Sequence, residues 1–368
     1  MSFYPLLQKY KDFALIESLQ KVTPQQVAAI LRKDRLQAQD FLALLSPTAS
    51  SFLEEMAQKA NRLTIQHFGR TVQLYTPLYL SNLCVNRCLY CNFNHLNESI
   101  NRRRLSPEEI EAEAKAIAHT GLKQVLLLTG DVPGQEPLQY LVKALDIVNK
   151  HFTSISIEIN ALSTDDYALL VNHGVDGLTI YQEVYDESTY EELHPKGPKR
   201  DYLWRLDAPE RGCQAGMRRV NIGTLLGLHH WPTEVFFTGL HAQYLQDRYL
   251  DTEISISIPR IKAGPEGYQP QAPVSDRDLV QIILAFRLFM PRLGITLSTR
   301  ESASLRDNLI PLGVTKLSSG VNTAVGGHID EDAQDGQFTI SDERSTEEIS
   351  QMLIQQGYQP VFQDWHNL

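Results

Sequence analysis

Eight short runs of apolar and β-branched residues, parted by segments of helical periodicity, constrain this chain more than any other feature. They are "VQLYTPLYLSNL", "QVLLLTG" (124–130), "SISIEIN" (154–160), "GLTIYQE" (177–183), "RVNIGTLLGL" (219–228), "EISISIPR" (253–260), "GITLSTRES" (294–302) and "VTKLSSGV" (314–321). Runs of this length read as buried strands, and strands alternating with helices build parallel sheets through right-handed crossovers. The intervening "SPEEIEAEAKAIAHTG" opens on a Ser cap with Pro and Glu behind it and stops at a Gly. The pattern predicts an α/β fold, a (β/α)8 TIM-type barrel or a partly open relative, with its chemistry at the C-terminal ends of the strands.

Those ends are where the polar residues gather: Cys84, Gly130 with Asp131, Glu158 with Asn160, Gln182 with Glu183, Arg260, Arg300 with Glu301, and Ser318 with Ser319. Such convergence predicts one site. Ahead of the first run, "TPQQVAAILRKD" and "SPTASSFLEEMAQKANRLTIQHFG" predict a helical extension over 1–71. The barrel should then span 72–322, and 323–368 a capped helix and short tail packing on it. Residues 185–207 are long and polar for a simple crossover, which makes them a candidate lid over the mouth.

Lys and Arg number 34 against 44 Asp and Glu, a formal charge of −10. An acidic balance disfavours a nucleic-acid partner. No apolar run is long enough to span a bilayer, and the N-terminal residues lack a basic start, an apolar middle and a small-residue cleavage site. The expectation is a cytoplasmic protein with no membrane partner.

The sharpest local signal is "LYLSNLCVNRCLYCNFNH", which packs Cys84, Cys88 and Cys91 into eight positions of a chain with four cysteines. Thiols so crowded make a poor disulfide framework and a good metal site in a reducing compartment. Two centres compete: a structural zinc completed by His95, and an iron-sulfur cluster held by three cysteines with one iron open to a ligand that is not protein. The C-x3-C-x2-C spacing is unusual for zinc, and no second pair of ligands follows. Cys213, in a helical stretch, reads as buried and inert.

That spacing, with an aromatic before the last cysteine and a barrel strand ahead of it, resembles the radical S-adenosylmethionine (SAM) superfamily. "LLLTGD", "YQEVYDESTYEELH", "WRLDAPERGCQAGM", "IGTLLGL", "SIPRI" and "LSTRES" follow in the order seen in the 2-iminoacetate synthase family of thiamine biosynthesis. The likeness runs from "FLALLSPTAS" to "QPVFQDW". The tyrosine lyases that mature [FeFe] hydrogenase share it, "HPKGPK" included, but carry a second cluster on C-terminal cysteines, and this chain has no cysteine after Cys213.

The resemblance implies one 4Fe-4S cluster on Cys84, Cys88 and Cys91, SAM on its open iron, and radical cleavage of the Cα–Cβ bond of L-tyrosine. The products would be 2-iminoacetate, for the thiazole of thiamine, and 4-methylphenol. Tyr90 would lie against the adenine, and the Gly130 carbonyl would receive the SAM amino group. Asp131 stands where the family usually has Glu. Arg205 of "RLD" would pair with the SAM carboxylate, as a bidentate guanidinium suits. Glu158, Gln182 and Glu183 are candidates, by strand-end position, for ribose or sulfonium contacts. For the substrate, Arg300 would supply the cation, Ser318 a donor and Tyr79 a contact beside the cluster loop; Arg300 pairing with Glu301 or Glu158 is the structural alternative. Implied partners are L-tyrosine, a thiazole synthase and a low-potential donor such as flavodoxin or ferredoxin. The competing readings are a radical SAM lyase for another aromatic amino acid, such as tryptophan, and an iron-sulfur electron-transfer protein without SAM chemistry.

Overall fold

The computed structural model describes all residues except 1, 12–13, 262–266, 331–334 and 364–368. The chain opens with helices α1 (Tyr4–Lys11), α2 (Leu15–Gln20), α3 (Pro24–Leu31), α4 (Ala38–Leu44) and α5 (Leu53–Phe68). Thr23 starts α3 with a capping box: its hydroxyl accepts from the Gln26 amide, and the Gln26 side chain accepts from the Thr23 amide.

Strands β1 (Thr71–Ser81), β2 (Gln124–Thr129), β3 (Ser154–Glu158), β4 (Gly177–Glu183), β5 (Arg219–Thr224), β6 (Glu253–Ser257), β7 (Gly294–Leu297) and β8 (Lys316–Ser318) fall on the eight predicted runs. Each pairs in parallel with the next, and β1 pairs with both β2 and β8, so the sheet closes into an eight-stranded barrel. Between strands run α6 (Pro107–His119), α7 (Gln135–Val148), α8 (Thr164–Asn172), α9 (Glu187–Leu193), α10 (Tyr202–Leu206), α11 (Ala208–Gln214), α12 (Trp231–Arg248), α13 (Asp276–Phe289) and α14 (Ala303–Leu309). Buried leucines, isoleucines and valines on the strands and inner helix faces form the core. Each contributes about 2 kcal/mol on leaving water.

The extension is welded to the barrel wall rather than tethered beside it. Phe41 of α4 stacks on Phe289 of α13 at 4.5 Å, and the Gln281 amide donates to the carbonyls of Leu44 and Ser46. At the other end, α15 (Thr346–Gln355) leads into a ninth strand, β9 (Gln359–Val361), which pairs with the start of β1. Its shortness and its proline hid it within "QPVFQDW".

Pro77 sits inside β1, where a central strand normally cannot spare an amide. The pairing with β8 ends at Tyr75, so that amide would have no strand partner there. The Pro77 carbonyl instead accepts from His328 Nε2 at 2.9 Å. The C-terminal segment therefore takes over the edge of β1 just below the loop that carries the cysteines.

Candidate active site

A cavity of about 730 Å³ opens at the C-terminal ends of the strands. Of the residues the sequence singled out, Tyr79, Cys84, Cys88, Tyr90, Cys91, Gly130, Asp131, Glu158, Glu183, Arg205, Arg300 and Ser318 all line it. Gln182 does not. Side chains alternate along a strand, so with Tyr181 and Glu183 turned inward Gln182 faces the other way, buried, with both amide atoms unpaired. Its expected cofactor contact has no geometry to support it.

The cysteine loop is clamped from two sides. Gly130 packs so tightly under it that a Cβ would sit 2.0 Å from the Leu83 carbonyl oxygen, and the Val85 amide donates to the Asp131 carbonyl at 3.0 Å. On the other side, the Arg87 and Leu89 amides donate to the carbonyls of Lys196 and Leu193. Asn86 is the hub: its amide nitrogen donates to Asp131, and its oxygen accepts from the Lys199 amide at 3.0 Å. Gly197, at φ 102°, lies where a Cβ would strike the Asn86 side chain. Residues 185–207 are thus α9, a 3-10 turn (Pro198–Arg200) and α10 buttressing the cysteine loop, not a lid.

Burial raises all three thiols, Cys91 to about 11 and Cys88 further. They need a cation to hold them as thiolates. His95 directs Nδ1 to the Cys84 carbonyl at 3.1 Å. Among the described residues, no three His, Cys, Asp or Glu side chains are gathered closely enough for a single metal ion.

Beside the loop is an ionic group that sequence reasoning only half found. Lys199, from "HPKGPK", meets Glu183 at 2.6 Å, and Arg205 stands 3.9 Å from the same carboxylate oxygen while donating to the Tyr181 carbonyl. Burial opposes the Lys199 charge, yet Glu183 more than offsets it. Glu183 is the one non-glycine with positive φ among the described residues, at 70°, and β4 shifts register there. His194 of the same segment gives Nδ1–H to the Tyr190 carbonyl at 2.7 Å, so its Nε2 accepts from Tyr90 at 2.8 Å and fixes that ring. Burial, joined by Glu183, raises Glu158 to about 7.

Across the mouth, Arg300, in the turn beyond β7, has no carboxylate partner within 4 Å among the described residues. Its guanidinium lies 3.7 Å over the Phe338 ring, and burial depresses its pKa. Glu301, the expected alternative partner, is taken by Arg260. Ser318 Oγ is buried near the Tyr75 phenol without a hydrogen bond formed, and Tyr79 donates to Gln337 at 2.8 Å. Residues 335–343 wall this side: Asn92 donates to the Gly336 carbonyl, and the Ser341 amide to the Thr299 carbonyl. No motif pointed to that wall. Cys213 is buried in α11, its thiol pushed up to about 12, away from the cavity.

Residues 78–259 match the Radical SAM superfamily, and 257–359 the Biotin and Thiamin Synthesis associated domain. The 2-iminoacetate synthase of Escherichia coli (strain K12) is 40% identical over 344 residues, 93% of this chain and 91% of that protein. The chain belongs to the 2-iminoacetate synthase family. Membership in the radical SAM superfamily implies a 4Fe-4S cluster and SAM. The site suits both, with three thiols on one wall and the Asp131 Oδ1 and Ser318 Oγ atoms buried without hydrogen-bond partners. Among solved structures, the [FeFe]-hydrogenase maturase HydG superposes with a TM-score of 0.90 at 30% identity, covering 96% of this chain and 80% of that one. Methylornithine synthase (PylB), at 23% identity, a TM-score of 0.73 and coverage of 91% and 97%, shares the fold. Both likenesses fit the closed barrel described above.

Proposed function

We propose that this chain is a radical SAM lyase that cleaves the Cα–Cβ bond of L-tyrosine, giving 2-iminoacetate for the thiazole of thiamine and 4-methylphenol. The observation that carries the reading is the pairing of two features on one cavity: a three-cysteine loop on one wall and, facing the same space, the half-buried Arg300 guanidinium with no counter-ion among the described residues. An electron-transfer protein has no use for the second.

Cys84, Cys88 and Cys91 would hold the cluster, with Tyr90, Gly130, Asp131, Glu158, Glu183 and Arg205 around SAM. When bound, the two would supply one-electron radical chemistry for hydrogen-atom abstraction at the substrate amino group. Everything else is positioning. Arg300 and Ser318 take the substrate carboxylate, a charge-assisted contact that fixes the amino group in reach. Tyr79, steadied by Gln337, closes the space next to Cys91. Leu126, Leu128, Ile159, Leu225 and Pro259 supply apolar stretches of the cavity wall, which limit stray hydrogen donors near a reactive radical.

The product imine hydrolyses in water, so a thiazole synthase is the natural partner to receive it directly, and a low-potential carrier such as flavodoxin or ferredoxin must feed the cluster. We read the chain as a helical part (1–71), a barrel (72–322) and a C-terminal part (323–368) that completes the mouth. No helix among the described residues is long and apolar enough to cross a membrane.

The test is anaerobic incubation of reconstituted, reduced protein with SAM and L-tyrosine, assaying 5′-deoxyadenosine, 4-methylphenol and glyoxylate from the hydrolysed imine. All three are expected together. Deoxyadenosine without 4-methylphenol, and with product from tryptophan instead, would move the substrate; no deoxyadenosine from a fully loaded protein would end the reading.

A further inference from the structure

The inner face of the cysteine loop looks into the cavity, and its outer face looks into solvent with an unusual composition. Leu83, Val85, Leu89 and Leu96 are 36, 38, 43 and 53% exposed. Among the described residues they make up four of the eleven large apolar side chains that are exposed, all within 83–96. Such clustering marks a contact surface, where scattered apolar residues would need no explanation.

Charge sets this face apart as well. Segments 83–104 and 194–200, joined by the Arg87–Lys196 and Leu89–Leu193 backbone bonds, hold seven Lys or Arg against one acid, Glu98, in a chain of net charge −10. Most of these cations are spoken for: Arg102 binds carbonyls of the loop itself, Arg103 pairs with Glu109, and Arg200 with Glu191. Arg87 and Lys196 have no carboxylate within 4 Å among the described residues. They stand side by side, their backbones linked at 3.0 Å, at the margin of the apolar group.

We infer that the outer face of the cysteine loop, formed by Leu83, Val85, Leu89 and Leu96 with Arg87 and Lys196, is the docking surface for an acidic, low-potential one-electron carrier protein. The inference rests on the radical SAM reading of the cysteines. Electron transfer needs close approach, and the three cysteines sit on this loop itself. A few apolar side chains rimmed by unpaired cations suit a small transient contact with an acidic partner, where charge governs the encounter rate. The step moves one electron and no atoms: the carrier is oxidised by one electron and the cluster reduced by one.

The experiment follows the cluster absorbance of reconstituted holoenzyme in stopped flow after mixing with a bacterial flavodoxin in its hydroquinone form. Lys196→Glu and Leu96→Ser, both outside the three-cysteine run, should each slow reduction by flavodoxin about tenfold, the charge reversal more at low salt than at high. Reduction by dithionite, and tyrosine turnover driven by it, should match the parent. Equal flavodoxin rates in parent and variants would overturn the inference. So would an equal loss with dithionite, which would place the effect on the cluster itself. Loss of thiazole synthase co-purification with flavodoxin rates intact would assign the face to the product acceptor instead. Failure of the parent to turn over tyrosine with dithionite would strike the lyase reading and not the docking surface.

Discussion

Lys199→Met should destabilise the fold by an amount that follows from one buried contact. Lys199 and Glu183 meet at 2.6 Å with side chains 13 and 9% exposed, so the pair is shielded from water. Removing one member of such a pair typically costs about 3–5 kcal/mol because it strands the other charge. Arg205, 3.9 Å from the same oxygen, keeps the cost near the lower end. The penalty should therefore be about 3 kcal/mol. Urea titrations of the cluster-free protein measure it. Lys199→Met/Glu183→Gln removes the stranded carboxylate but takes it from Arg205 as well, so the double variant should recover only part of the loss. A Lys199→Met penalty under about 1 kcal/mol would refute the argument that a stranded carboxylate is the cause.

Glu158 gives the fold a pH signature. With its pKa raised to about 7 from an ordinary 4.5, the folded state holds an extra proton between those values, so stability falls as pH rises through that window and then levels off. Glu158→Gln should lack that slope and gain on the parent up to about 3 kcal/mol by pH 8, read from denaturation midpoints across pH. Gly130→Ala should push the cysteine loop off its seat, because its Cβ would stand 2.0 Å from the Leu83 carbonyl oxygen; iron and sulfide content after reconstitution should drop well below the parent, and full loading would contradict the tight fit. Arg300→Leu should leave the protein as stable or more so, while tyrosine affinity, measured by equilibrium binding to the SAM-loaded protein, falls by about 10²-fold.

The barrel was legible because burying a parallel strand on both faces demands a continuous apolar run, and eight such runs cannot hide in a sequence. The cysteines and Arg300 were legible for a related reason: each follows a strand, and strand ends meet at one mouth, whereas Arg205, inside α10, was legible only through the resemblance of its "RLD" segment. Local alternation told less at β4, where the shift at Glu183 makes it hard to say which of two adjacent polar residues faces inward; only Glu183 does. Lys199 and Asn86 were passed over because their roles exist only through partners 16 and 45 positions away. The 185–207 stretch looked like a lid since polar surface residues and cap residues have the same composition; in the fold its polar groups hold the backbone of the cysteine loop. The wall at 335–343 has no periodicity at all, and contacts such as Tyr79 to Gln337 span 258 residues.

The distribution of paired and unpaired groups around the cavity carries a further argument about its ligands. On the buttress side, Lys199 and Arg205 answer Glu183, and that ionic group is largely self-contained. What remains unanswered is split between the walls: Asp131 Oδ1 beside the cysteine loop, and Arg300 with Ser318 Oγ at β7 and β8. Leaving a half-buried guanidinium without a counter-ion costs the fold stability that an apolar residue of similar volume would not. An arrangement that serves only structure would pair Arg300 with Glu301, its neighbour in sequence, but Arg260 occupies that carboxylate. The free cation and the free acceptor therefore lie apart, and ligands that bring an anionic group to one wall and a cationic group to the other satisfy both at once. An α-amino acid and SAM each carry such opposed charges, whereas an uncharged phenol or a simple organic acid would leave one wall unsatisfied.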